Sequence, residues 1–200
     1  MEMSSQLYAL TASRGAGKTA FCRALSEQAR AAGWDVAGLL SPAVFEDEGK
    51  TGILAEALRT RETHPLAIAN LQPSNLPTLQ HGERGTNRQD NAFSLELGNW
   101  LFDPSIITWG NQILETCLPC DLFIVDELGP LELIRGEGWI NALGALRQPH
   151  YRVGLIVIRP ELLETVRQIL PIMQVIALEP SNSPAQQVYF WWNRMRYTKD

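Results

Sequence analysis

The chain has 200 residues, 45% apolar and 20% charged, enough to bury the core of a single domain without disulfide or metal staples. Acidic residues outnumber basic ones 22 to 17, for a net charge of −5, and the basic cluster is confined to the tail NRMRYTK, which argues against nucleic acid as a partner. No run approaches the roughly 18 consecutive apolar residues of a membrane span, and the opening MEMSSQLYAL lacks a basic leader region, so no membrane association and a cytoplasmic location are expected.

In chain order, Gln6–Thr11 reads as a short strand and Gly17 to Ala32 as a helix, with Phe21, Leu25 and Ala29 on one face and Gly33 as a stop. Asp35–Ser41 is apolar and strand-like. Lys50–Thr60 alternates loosely and is expected to pair with the segment before it as a hairpin. From Leu71 to Ala92 the chain turns polar, with prolines, asparagines and several charges, which suggests a long loop or lid insertion. Phe93–Phe102 reads as a strand pair or an extended edge, and Pro104–Cys117 as a helix with Ile107, Ile113, Leu114 and Leu118 at near-helical spacing.

The run DLFIVDE then reads as a short strand of the buried type, Trp139–Leu146 as a helix, and Arg152–Ile158 as a second strand buried on both faces. Pro160 suits a first helical position, with ELLETVRQIL continuing from it. Met173–Leu178 gives a last strand. Ser183 as N-cap and Pro184 inside the first turn open a C-terminal helix. Short apolar strands alternating with helices predict a single α/β domain over residues 1–200, with a mainly parallel sheet and helices on both faces.

Cys22, Cys117 and Cys120 read as free thiols. The CLPC motif follows a helical pattern instead of opening one, so it lacks the helix N-terminus that activates a redox cysteine. His64, His81 and His150 show no ligand spacing, which disfavours zinc.

The strongest signal lies between the first strand and the first helix. Ala12, Ser13, Arg14, Gly15, Ala16, Gly17, Lys18 and Thr19 match the phosphate-binding P-loop pattern, with alanine replacing the first glycine. Glycines let successive backbone N–H groups turn toward one point, and the following helix adds its positive end. Lys18 would bring a full charge to the β- and γ-phosphates, and Thr19 a hydroxyl to Mg²⁺. Arg14 either touches a phosphate or points to solvent.

A metal-side carboxylate is also required. Four apolar residues, Leu122 to Val125, end in Asp126 and Glu127, and an acid at the C-terminal end of a buried parallel strand sits where such sheets bind ligands. Asp126 is the expected Mg²⁺ ligand and Glu127 the group that orients or deprotonates an attacking water.

ASRGAGKT, VDELGPLEL and the intervening GLLSPAVFEDEGKTGI resemble the small P-loop nucleoside-triphosphatases of the cancer-related nucleoside-triphosphatase type. The resemblance runs with gaps from about Leu7 to Leu178, and its most specific part covers Asp126, Glu127, Leu128, Gly129, Glu132 and Leu133. It implies Mg²⁺-dependent hydrolysis of NTPs to NDP and phosphate with loose base selectivity. Ala12 and Arg14 depart from the family's glycine and proline, which bears on rate and substrate preference. Glu132 is left between a loop-stabilising and a catalytic role, and Arg159 between a γ-phosphate sensor and a solvated arginine.

Two other readings stay open. A small-acceptor kinase would share these parts and use Arg59, Arg61, Arg84 or Arg88 to clamp a second phosphate. A nucleotide-dependent interaction module would use the tail helix, where Val188, Trp191, Trp192 and Met195 form an apolar face and Phe190 or Trp192 is available to a protein partner.

Overall fold

The apolar runs assemble into one mixed sheet. The structure is a computed structural model that describes residues 5–47, 49–70, 93–148, 150–179 and 182–197. The strands are β1 (Gln6–Thr11), β2 (Val36–Leu40), β3 (Ala43–Glu46), β4 (Gly49–Ala57), β5 (Thr63–Ala69), β6 (Leu95–Leu97), β7 (Trp100–Phe102), β8 (Cys120–Leu128), β9 (Tyr151–Ile158) and β10 (Ile172–Ala177). The helices are α1 (Lys18–Ala31), α2 (Pro104–Thr116), α3 (Ile140–Arg147), α4 (Leu163–Ile169) and α5 (Pro184–Arg196). The sheet order is β10-β1-β9-β8-β2-β4-β5-β7-β6, with β3 paired to β4.

The central part, β10-β1-β9-β8-β2, is wholly parallel, as the alternation of strands and helices predicts. Its residues alternate between two cores. Leu7, Ala9, Phe123, Val125 and Ile156 pack with Leu114 of α2, Ala142 and Leu146 of α3, and Val166 of α4. Tyr8, Leu10, Ile124, Leu155 and Val157 pack with Phe21 and Leu25 of α1 and with Val188, Trp192 and Met195 of α5. A strand buried on both faces gains from apolar residues at every position, which is why these runs lack the polar alternation of a half-exposed sheet.

An antiparallel extension continues from β2 through β4, β5, β7 and β6; the strand pair expected within Phe93–Phe102 is β6 and β7, while β5, which links β4 to them, is not foreseen in the sequence. The expected hairpin partner of Lys50–Thr60 is β3, while β4 also pairs with Leu39 and Leu40 of β2. Strand β5 carries Pro65, which cannot donate to the ladder, and the pairing of β4 with β5 shifts register between Ile53 and Leu54, opposite it. A proline in a short run hides a strand from pattern reading. The expected polar insertion at 71–92 lies outside the described residues.

Several helix ends follow from single residues. The Asp103 side chain accepts from the Ser105 amide at the start of α2, and Ser183 accepts from Gln186 at the start of α5. Pro160 opens a single 3₁₀ turn, Pro160–Leu162, before α4. Cys22, Cys117 and Cys120 are free and buried. Burial pushes Cys117 up to about 11 and Cys120 up to about 12, so both stay protonated near neutrality and are poor nucleophiles.

Gly38 in β2 has φ 110, and a Cβ there would overlap the Ile124 carbonyl oxygen of the adjacent β8. Gly38→Ala is expected to cost about 3 kcal/mol or more through strain and steric overlap together. A urea denaturation midpoint that stays at the wild-type value would contradict this close approach of β2 and β8.

Candidate active site

The parallel strands end on one rim, and the sequence places its P-loop there. The loop from Ala12 to Gly17 joins β1 to α1. Gly15 has φ 79 and Gly17 φ 81, values in the left-handed region that cost a glycine little. Ala12 is outside that region, so its methyl group meets no backbone penalty. Gly17 stands at the N-cap of α1 without a side-chain cap, leaving the first-turn amides to another acceptor. The Lys18 ammonium folds back over the loop and donates to the carbonyls of Ala12 and Ser13 at 3.0 and 2.9 Å. Arg14 is exposed, as are Ser13, Gly15 and Gly17, while Ala16 and Thr19 are half-buried.

Strand β8 reaches the same rim two strands away. Between Val125 and Leu128 it takes three steps while β9 takes two, from Ile156 to Ile158, so β8 carries one extra residue there. Such a bulge turns a strand and re-aims a side chain. Its consequence is visible in the faces. Val125 and Leu128 pack in the same core although three apart, and Glu127, at φ 69, is turned out of the ladder. A left-handed φ on a non-glycine residue costs about 1 kcal/mol or more and persists where surrounding structure enforces it.

Asp126 itself points to the α1 side and is 2% exposed. Burial raises its carboxyl above the ordinary value; hydrogen bonds from the Thr19 hydroxyl and the Ser41 amide oppose that, Glu127 adds to it, and Lys18 draws it down. The Ser41 amide donates at 3.2 Å, and the Ser41 hydroxyl donates to the Asp126 carbonyl. Thr19 and Lys18, distant from Asp126 in sequence, therefore favour its ionised form across the rim. Glu127 is half-exposed and accepts from Arg159, at the end of β9, at 2.9 and 3.3 Å. Solvent-exposed pairs of this kind are worth about 0.2–1 kcal/mol, so the rim can exchange this contact at small cost.

Two open questions of the sequence close here. Glu132 is buried and accepts from the amides of Gly129 at 2.8 Å and Trp139 at 2.9 Å, so it holds the loop after β8 in place. Arg159 is not merely solvated; it meets Glu127. Ser41 carries no local signal in the sequence. Ser41 follows β2, which only the sheet order sets beside β8. Lys50 feels Glu127, Asp126, Arg14 and Arg159, and no local signal in EDEGKTGI announces this.

The arginines invoked for a second phosphate are engaged elsewhere. Arg59 pairs with Asp35, which precedes β2 at the end of the sheet opposite Ser41, and donates to the Pro119 carbonyl that precedes β8. Arg61 pairs with Glu27. Arg84 and Arg88 lie outside the described residues. Helix α5 packs inward through Val188, Trp192 and Met195, with Trp192 edge-on to Trp34 at 4.8 Å, while Tyr189 and Phe190 stay exposed. Among the described residues there is no cluster of three or more His, Cys, Asp or Glu suited to a metal, and no helix long and apolar enough to cross a membrane.

This geometry can be set beside known proteins. The solution structure of a human cancer-related nucleoside triphosphatase superposes with a TM-score of 0.66 over 98% of this chain and 100% of that chain, at 18% identity, a likeness of fold. No curated protein matches the chain. The model of the NTPase family matches residues 7–183, a span that includes the P-loop, the Asp126–Glu127 bulge and Arg159. The chain therefore belongs to the NTPase family and is an enzyme of the nucleoside triphosphatase kind.

Proposed function

We propose that the protein is a Mg²⁺-dependent nucleoside triphosphatase that hydrolyses ATP, GTP and other NTPs to NDP and phosphate with broad base selectivity. The observation that carries this reading is the shared rim: β1, which runs into the loop before Lys18 and Thr19, and β8, which ends at buried Asp126 and exposed Glu127, are both parallel to β9, which lies between them. The groups gathered at the rim address phosphates, a cation and a water rather than a base, which supports loose selectivity.

In this reading the amides of Ala12, Ser13, Arg14, Gly15, Ala16 and Gly17, with the N-terminus of α1, cradle the phosphates. Lys18 leaves its carbonyl acceptors for the β- and γ-phosphate oxygens. Thr19 and Asp126 offer a hydroxyl and one carboxylate, a hard oxygen set. That fits Mg²⁺, which keeps waters and substrate phosphates as its other ligands and needs no protein cage. The metal, when bound, neutralises charge that develops between the β- and γ-oxygens.

Glu127, turned out by the bulge, orients a water in line with the γ-phosphorus and accepts its proton as the bond to the β-bridging oxygen breaks. Arg159 holds Glu127 before substrate arrives and faces the γ-phosphate afterwards. Phosphoryl transfer asks for position and electrostatics more than covalent help, and the rim supplies both. Glu132 has no part in the chemistry; it keeps the Gly129 turn fixed behind Glu127.

Lys18→Ala is expected to lower phosphate release about 100-fold or more. Glu127→Gln should lose about as much while binding the triphosphate within a few-fold of wild type; wild-type turnover in this variant would remove Glu127 from its role. Chelation should abolish phosphate release and added Mg²⁺ restore it, so turnover that survives exhaustive chelation would reject the metal requirement.

A further inference from the structure

Strands β2 and β8 run parallel, with Leu39 opposite Val125 as their last pair. The order of their hydrogen bonds is set at the far end, where the Leu122 amide donates to the Asp35 carbonyl at 3.1 Å. Rungs of a parallel ladder recur at every second residue on each strand. Followed to the rim, this order assigns the Ser41 amide to the Asp126 carbonyl. The structure exchanges that last rung. The Ser41 amide donates to the Asp126 carboxylate at 3.2 Å, and the Ser41 hydroxyl donates to the Asp126 carbonyl at 3.2 Å in its place.

Two things depend on the exchange. The buried Asp126 carboxylate gains a backbone donor that a regular ladder would have used. The Asp126 carbonyl belongs to the rigid peptide plane that joins it to Glu127, so its direction governs how Glu127 leaves the strand. Glu127 leaves at φ 69, a conformation that a residue with a Cβ keeps only where its surroundings enforce it. Arg159, past the end of β9, holds the Glu127 side chain, and Ser41 holds the preceding peptide from β2, on the other side of β8. Ser41 is itself fixed. Pro42 follows it and confines it to extended backbone, and the Pro42 carbonyl accepts from the Leu54 amide of β4 at 2.8 Å.

We propose that Ser41 is a positioning residue for both acids: its hydroxyl replaces its own amide in the ladder, which leaves the amide to the Asp126 carboxylate and holds the Asp126–Glu127 peptide in the orientation that presents Glu127 to the rim. Among the ordinary side chains only serine and threonine carry a hydroxyl on Cβ, so the requirement is narrow. Alanine forces a choice. Its amide returns to the Asp126 carbonyl and deserts the carboxylate, or it stays and the carbonyl loses its donor from β2. Either way the turn at Glu127 loses its support. The effect on turnover rests on the hydrolase reading above; the effect on the backbone of Glu127 does not.

The test uses the full chain with Ser41→Ala, Ser41→Thr and Ser41→Cys, whose thiol is a weak donor of similar size. In the ligand-free protein, the backbone carbon and nitrogen NMR shifts of Glu127 report its left-handed φ. They are expected to move away from the wild-type values in Ser41→Ala and Ser41→Cys and to stay in Ser41→Thr. With saturating Mg²⁺ and ATP, kcat for phosphate release is expected to fall about tenfold in Ser41→Ala with a smaller change in KM. Ser41→Thr should stay within about twofold of wild type, and in a Glu127→Gln background Ser41→Ala should add less than about threefold, because both changes act through one group. Unchanged Glu127 shifts in Ser41→Ala overturn the inference. So does a threonine variant as impaired as alanine, or a loss that multiplies with that of Glu127→Gln. A wild-type protein that releases no phosphate from any NTP overturns the hydrolase reading instead, and the ligand-free NMR comparison then decides the role of Ser41 on its own.

Discussion

The site depends on the removal of one carboxylate from water. Asp126 is buried at the end of β8, and its ionised form is opposed by that burial. What keeps it serviceable is a hydroxyl from the first turn of α1 and an amide from the end of β2. Each of these comes from a different strand–helix unit, and they meet because parallel strands end on the same side of a sheet. In the proposed function a cation takes over part of this compensation, which ties catalytic competence to the same contacts that make the rim coherent.

The bulge at Asp126–Glu127 gives two adjacent acids different environments. In a regular strand consecutive side chains would point into the two cores, and Glu127 would face the apolar layer of α2 and α3. One extra residue on β8 releases it to the rim instead, at a small backbone cost. Glu132 fixes the loop that follows through the amides of Gly129 and Trp139, so the turned-out residue has a rigid support. In the proposed function, burial for one acid and exposure for its neighbour let a single dipeptide serve a metal and a water at once.

Charge around this rim is arranged in opposition. Arg159 satisfies Glu127, Lys18 folds onto the carbonyls of its own loop, and Lys50 rests on Trp100. Each cation has a weak local partner, and each such contact is of the order of 1 kcal/mol or less at partial exposure. In the proposed function a bound polyphosphate offers Lys18 and Arg159 a stronger one. The molecule is acidic overall, so the concentration of positive charge at this end of the sheet is a local property that composition conceals.

The sequence by itself determined the parallel centre of the sheet, the glycine-rich loop that leads to Lys18 and Thr19 between β1 and α1, and the Asp126–Glu127 pair at the end of β8. These rest on local chemistry: apolar runs long enough for a two-sided strand, glycines where φ must be positive, an acid closing a buried strand. Tertiary structure alone decided that Ser41 supports Asp126, that Arg159 holds Glu127 and that Lys50 lies over the Trp100 ring. It also decided how the antiparallel strands join the sheet through β5, whose pattern Pro65 obscures. The reason is physical: a residue's neighbours across a sheet are set by strand order and register, which depend on which faces can be buried together, and no stretch of chain carries that information alone.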